Sequence, residues 1–379
     1  MRWCAATLVV TVLGVVSGLP GGVSAQSNTG DHLPTDPPLT TDKVGQAGMT
    51  FLQVQVNSRA AGMSGAQTSS GGGAATVFTN PALIPLFSGD ADAYAAQVSW
   101  FADISISAVS AVFRLPFASN VVVGASLLTT NYGDIHYTEL ALDDPSLAFR
   151  DLGLVDVNEF AAGVAVGAEI TDRFSLGVSA RLVSQELWGN RTFMIVSTDP
   201  ASDSLLNLPF TDSKRRKGLT DSTGATTADP WTFDFGTRYE TGFESLVLSM
   251  SIRNFARATF HEDKPGELGL PIELRIGVAA DVLDFMGDVG DGPNSLLLAV
   301  EGIHPRDHPE KLAMGLEADL MGHFQLRGGY TFNEDVIGFS AGVGVRQRIG
   351  PSMVGVDYAY TDVGSILGAT HRWGLTFGF

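Results

Sequence analysis

Gly338-Phe339-Ser340-Ala341-Gly342 is the most catalytic-looking pattern in the chain, a G-x-S-x-G run. In serine hydrolases that run makes a sharp elbow between a strand and a helix, which exposes the serine. Here apolar and small residues keep alternating through Val345, so the expected setting is an unbroken strand with Ser340 on its inner face. No nucleophile is assigned to it. His304 and His308 bracket Pro305-Arg306-Asp307. Two histidines at that spacing bind a metal from one helical face, and Pro305 breaks such a helix, so a hydrated loop is expected. Asp284, Asp288 and Asp291 lie among Gly287, Gly290 and Gly292, with spacing that misses the EF-hand pattern. They read as a turn. These patterns predict no enzyme, no metal and no cofactor.

Charge is the other source of chemistry. Lys214-Arg215-Arg216-Lys217 is the one basic run in a chain of net charge -18. It suits either lipopolysaccharide phosphates or an acidic partner, or it is a solvated loop. Nucleic acid is a poor partner for so acidic a protein. Glu159, Arg181, Asp234, Arg238, Glu273, Arg275, Glu301, Glu317, Arg327 and Arg346 occur singly at alternate positions. They are expected to face a lumen, where they either line a path or pair and fill it. Buried charges need partners, and the mixture of signs favours pairing.

The elements that would position these residues are read from period two. The chain has 379 residues, of which 44% are hydrophobic, 17% are charged and 44 are Gly. Soluble domains carry about 25% charged residues and about 7% Gly. From about Asp92 onward, segments of about ten residues alternate apolar with small or polar, as transmembrane strands do. Ile337, Phe339, Ala341, Val343 and Val345 oppose Gly338, Ser340, Gly342, Gly344 and Arg346. Phe174, Leu176, Val178, Ala180 and Leu182 oppose Ser175, Gly177, Ser179 and Arg181. One face is almost wholly apolar with no second sheet to cover it, and lipid is the simplest cover. The other face, of Gly, Ser, Ala and isolated charges, suits a narrow hydrated lumen better than the open face of a sandwich.

The expected fold is therefore all-β, a transmembrane antiparallel β-barrel of about fourteen strands. Strands are expected to start near Asp92, Asp103, Asn120, Asn158, Arg173, Trp231, Glu244, Ile272, Asn294, Lys311, Phe324, Val336, Ser352 and His371. Connections after even strands are then short, as at Pro116-Phe117 and Gly350-Pro351, and the long ones follow odd strands. That asymmetry puts long loops outside and short turns in the periplasm, with the turn near Phe285 to Pro293 longer than the rule wants. The final strand sets Trp373, Leu375, Phe377 and Phe379 on the lipid side. Such an ending resembles the signal read by the barrel insertion machinery.

Arg2, the apolar run Ala5 to Val16 and the small residues Val23-Ser24-Ala25 read as a signal peptide over 1–25, cleaved near Ala25. It contains Cys4, the sole cysteine, so a mature chain would have no thiol. Residues 26–44 read as a flexible periplasmic lead-in, 45–90 as a compact segment against or inside the barrel, and 91–379 as the barrel in the outer membrane.

The 45–90 segment also carries a resemblance. Gly48-Met49-Thr50-Phe51-Leu52, then Ser58-Arg59-Ala60-Ala61-Gly62-Met63-Ser64-Gly65-Ala66, then Asn80-Pro81-Ala82 resemble the N-terminal signature of the PorV/PorQ family. That family is itself similar to FadL-type barrels. Trp100 to Ser105, Asp234 to Tyr239 and Asp357 to Asp362 resemble it too. The resemblance implies a fourteen-stranded barrel with an N-terminal hatch built around Arg59, Gly62, Gly65, Asn80, Pro81 and Ala82. It implies a non-enzymatic role in type IX protein secretion, with a translocon or a secreted cargo protein as partner. The alternative is a FadL-like passive transporter of hydrophobic small molecules.

Overall fold

The computed structural model describes residues 47–140, 149–155, 157–186, 227–256, 259–260, 267–286, 294–334 and 337–379. The signal peptide, the 26–44 lead-in and the basic run at Lys214, Arg215, Arg216 and Lys217 lie outside these residues, as do Asp288 and Asp291.

Fourteen strands among the described residues close into one antiparallel barrel. They are β1 (Ala91–Ser99), β2 (Ser105–Leu115), β3 (Ala118–Asn131), β4 (Asn158–Thr171), β5 (Phe174–Glu186), β6 (Trp231–Glu240) and β7 (Val247–Phe255), followed by β8 (Glu273–Asp281), β9 (Ser295–Pro305), β10 (Lys311–Leu320), β11 (Phe324–Phe332), β12 (Phe339–Ile349), β13 (Ser352–Asp362) and β14 (Ala369–Gly378). Each pairs with its neighbour in sequence, and β1 pairs with β14 from Asp92↔Gly378 to Ser99↔His371. Closure leaves no unpaired edge, the condition for crossing lipid with strands. The seam is reinforced at Phe379, whose carbonyl accepts from the N–H groups of Asp90 (2.9 Å) and Ala91 (2.8 Å).

The connections confirm the expected parity. Residues 116–117, 172–173, 321–323 and 350–351 are tight turns at one end, where Gly322 (φ 68) and Gly350 (φ 63) take left-handed backbone. The strand ends joined by the long connections after β3, β5 and β7 lie at the other, outer end. Above that rim, Ile135–Leu140 and Phe149–Val155 form a hairpin, and the two-residue strand Thr227–Ala228 extends the sheet beside β5. The long inner connection 282–294 contains a 3-10 turn, Leu283–Met286.

The two faces of the wall divide as alternation requires. Val164, Phe235, Val343 and Leu375 point out and are exposed, as are Trp373, Phe377 and Phe379 on the last strand. This is the lipid-facing surface of an outer-membrane barrel. Inward side chains on the same strands are buried: Ser179 and Arg181 on β5, Asp234 on β6, Glu317 on β10, Ser340 on β12.

The lumen is filled by the chain before β1, which forms the hatch. It runs through a 3-10 turn (Thr50–Gln53), a single-turn helix α1 (Ser58–Gly62) and two further 3-10 turns (Ala74–Phe78, Pro81–Leu83). It enters from the outer mouth: Ala47 bridges to Gly269 and the Gly48 N–H donates to the Gly269 carbonyl (3.0 Å), on the outer connection between β7 and β8.

Candidate functional site

The hatch is held by its own caps and by the wall. The Asn57 side chain accepts from the Ala60 N–H (3.3 Å) and so starts α1. Asn80 accepts from the Ala82 N–H (3.0 Å) ahead of Pro81, while its amide donates to the Thr68 carbonyl (2.8 Å) and the Thr237 carbonyl (3.3 Å). The Asn-Pro-Ala element thus ties two parts of the hatch to β6. Wall glycines make room for it. A Cβ at Gly236 would lie 1.8 Å from Asn80 Oδ1, and one at Gly177 would lie 2.1 Å from the Pro81 carbonyl carbon. A Cβ at Gly62 would lie 3.1 Å from the Gly342 Cα, and Gly65 has left-handed backbone (φ 85).

Ion pairs cross the lumen at mid-height. Arg59 of α1 donates twice to Glu317 of β10, Nε to Oε2 (2.8 Å) and Nη2 to Oε1 (2.6 Å). Arg327 of β11 donates to Glu317 Oε2 (2.5 Å) and to Asp357 Oδ1 (2.5 Å). Burial alone would lower the Arg59 pKa, but the adjacent Glu317 carboxylate outweighs it and holds the guanidinium charged. A second cluster joins Arg275 to Glu273 (2.5 Å) and Glu301 (2.8 Å). Glu301 also accepts the Thr68 N–H (2.9 Å), and Arg275 donates to the Gly65 carbonyl (3.2 Å). A third joins Arg181 to Asp234 (2.7 Å) and to Asn254 (2.8 Å). Arg238, nearer the inner rim, donates to Glu240 (2.7 Å).

Of the expected lumen charges, Arg181, Arg275, Glu301, Glu317 and Arg327 therefore lie in buried networks. Glu159 is buried at the outer end, where it accepts from Tyr132 (2.5 Å) and from Gln185. In the loop beyond β3, burial and that carboxylate push the Tyr132 phenol up. Arg346 is half-buried toward the inner end. Sequence reasoning missed Arg253, whose guanidinium lies 3.8 Å from Glu273, and Arg372; both occupy inward positions of their strands, which alternation alone would have found.

Above the hatch the barrel opens into a vestibule of about 430 Å³. Phe51, Trp100, Phe101, Ile104, Ile106 and Ile303 supply its apolar lining. Polar groups come from Tyr132, Ser340, Thr361 and Arg372 on one side and from Glu273, Arg275, Lys311 and Glu334 on the other. Ser340 is buried on a continuous strand, with its Oγ 3.3 Å from Thr361 Oγ1 and no imidazole partner in that bond. His304 and His308 stand at the outer end, against Glu310 (2.9 Å) and Asp307 (3.2 Å) respectively.

No protein-family model matches this chain, and no curated protein matches it. Solved structures do. It is similar to the Pseudomonas putida toluene transporter TodX, at 13% identity over 84% of this chain and 95% of that one, with a TM-score of 0.52. It is also similar to the CymD monoaromatic hydrocarbon channel, at 11% identity over 86% of this chain and 96% of that one, with a TM-score of 0.51. What is shared is the fold, the closed fourteen-stranded barrel of FadL-type outer-membrane channels.

Proposed function

We propose that this chain is a passive outer-membrane conduit for small, largely apolar molecules that enter from the outer face. The observation that carries this reading is the vestibule: an outward-facing cavity of about 430 Å³, walled by aromatic and aliphatic side chains and floored by the hatch. A cavity of that size with a few converging polar groups is what small-molecule sites look like. Two solved barrels with the same fold carry the descriptions toluene transporter and monoaromatic hydrocarbon channel. Passage requires the hatch to yield, because Arg59, Glu317, Arg327 and Asp357 bridge the lumen below the vestibule. The signal peptide over 1–25 would deliver the chain for insertion, with the last strand as the assembly signal.

A second reading follows from that same bridge. A lumen closed by paired charges suits a PorV-like secretion component that works through its outer surface and a translocon or cargo partner. Proteoliposome uptake of toluene separates the two. Uptake above that of protein-free liposomes supports the conduit. No uptake, together with a secreted proteome altered by deleting the gene, supports the secretion role.

A further inference from the structure

Among the described residues, one charged side chain lining the vestibule has no counter-charge within ion-pair distance. Its lining includes three Arg or Lys side chains: Arg275, Lys311 and Arg372. Arg275 is paired with Glu273 and Glu301, and Lys311 with Glu334. Arg372 is 2% exposed, and among the described residues no carboxylate lies within ion-pair distance of it. Its bonds are all to neutral oxygens: Nε to the Gln55 carbonyl (2.8 Å), and Nη1 to Thr361 Oγ1 (2.9 Å) and Thr370 Oγ1 (2.8 Å). Nη2 makes no hydrogen bond among the described residues, and the residue borders the cavity. The Trp100 ring covers the guanidinium, with Cζ 5.3 Å from its centroid.

These bonds hold the guanidinium rigidly from one side and leave donors on the other. An unpaired buried cation is costly, and an entering anion would relieve that cost. The two N–H groups of Nη2 are the donors left for a carboxylate, and Trp100, Phe101 and Ile104 present apolar surface beside them. We propose that the vestibule binds a small aromatic carboxylate, with Arg372 taking the acid group and the apolar wall taking the ring. This rests on the conduit reading for its direction of entry, and it makes the preferred ligand an acid where a plain hydrocarbon would otherwise be expected.

The test uses the full-length protein in detergent with 4-fluorobenzoate and its neutral counterpart 4-fluorotoluene, followed by 19F NMR against empty micelles. 4-Fluorobenzoate is expected to bind, and to release as the solution is acidified until the ligand is neutral. Arg372→Gln is expected to weaken it at least tenfold and to leave 4-fluorotoluene unchanged, with Arg372→Lys intermediate. Heat-modifiable migration on gels establishes that each variant is folded. Should Arg372→Gln fail to fold, Trp100→Leu, at the rim beyond β1, is expected to weaken 4-fluorobenzoate several-fold. Absence of binding to the wild-type protein, binding indifferent to the ligand's protonation, or equal binding to a folded Arg372→Gln variant each overturns the proposal. Proteoliposome uptake keeps the two readings apart. Acid binding without uptake of either ligand overturns the conduit alone; 4-fluorotoluene uptake without acid binding overturns this proposal alone.

Discussion

Arg59 and Glu317 are 258 residues apart in sequence and meet in the middle of the lumen through two hydrogen bonds of 2.8 and 2.6 Å. This bidentate pair fastens the helical turn of the hatch to β10. Glu317 also holds Arg327, which in turn holds Asp357, so one carboxylate anchors the hatch to three strands.

Glu317→Gln leaves the buried Arg59 guanidinium without its counter-charge and Arg327 with Asp357 alone. Removing one partner of a buried pair costs about 3–5 kcal/mol. The variant is expected to lose its heat-modifiable form at a lower temperature than wild type. It is also expected to admit small solutes faster in a liposome-swelling assay. Unchanged swelling would show that the pair does not gate the lumen.

Gly236→Val places side-chain atoms where Asn80 sits, because even a Cβ there comes within 1.8 Å of Asn80 Oδ1. The Asn80 amide would lose its bonds to Thr68 and Thr237. Displacement of the hatch is expected, read as new protease cleavage within residues 47–90 of an otherwise assembled barrel. Gly322→Ala, in an inner turn with open space around it, is the control for a purely local effect.

Tyr94→Phe removes the phenol that donates to the Val56 carbonyl (3.2 Å) and accepts the Ser58 N–H (2.9 Å). Both backbone groups then lie buried without that partner, at about 1–3 kcal/mol each. Thermal stability is expected to fall while the barrel still assembles. Circular dichroism melts in detergent check the first part, and gel migration the second.

Val343→Arg puts a charge on the lipid side in the middle of β12, at about 2–4 kcal/mol near the bilayer centre. Ser340→Ala, on the inner side of the same strand, is expected to cost far less. Comparing folded yields after refolding into liposomes tests this; equal yields would contradict the assigned faces.

Deleting Phe379 removes the carbonyl that accepts from Asp90 and Ala91 at the seam. The folded fraction in the outer membrane is expected to drop several-fold, measured by the ratio of heat-modifiable to unfolded bands. An unchanged ratio would mean that the last residue is dispensable for closure and for recognition by the insertion machinery.

Most of the wall was legible from one dimension. Phe339, Val343 and Val345 could be assigned to lipid, and Ser340 and Gly342 to the lumen, because successive strand side chains point to opposite faces whatever the rest of the chain does. Strand parity was legible too, since loop length is a property of the sequence. Asn80-Pro81 announced a turn through its own backbone preferences. Pairing was legible only as a requirement: mixed signs on the inner face said that partners must exist, and nothing local said that Arg59 would choose Glu317.

By itself, then, the sequence determined the barrel, its two faces, the order of its strands and the presence of a segment too apolar to be a linker. Each of these depends on local geometry or on spacing along the chain. The tertiary structure alone decided that the hatch meets the outer rim at Gly269, that it bridges the lumen through Arg59, and that Arg372 has no acid beside it among the described residues. Those are distances between residues hundreds of positions apart, and they exist only once closure has brought β1 against β14.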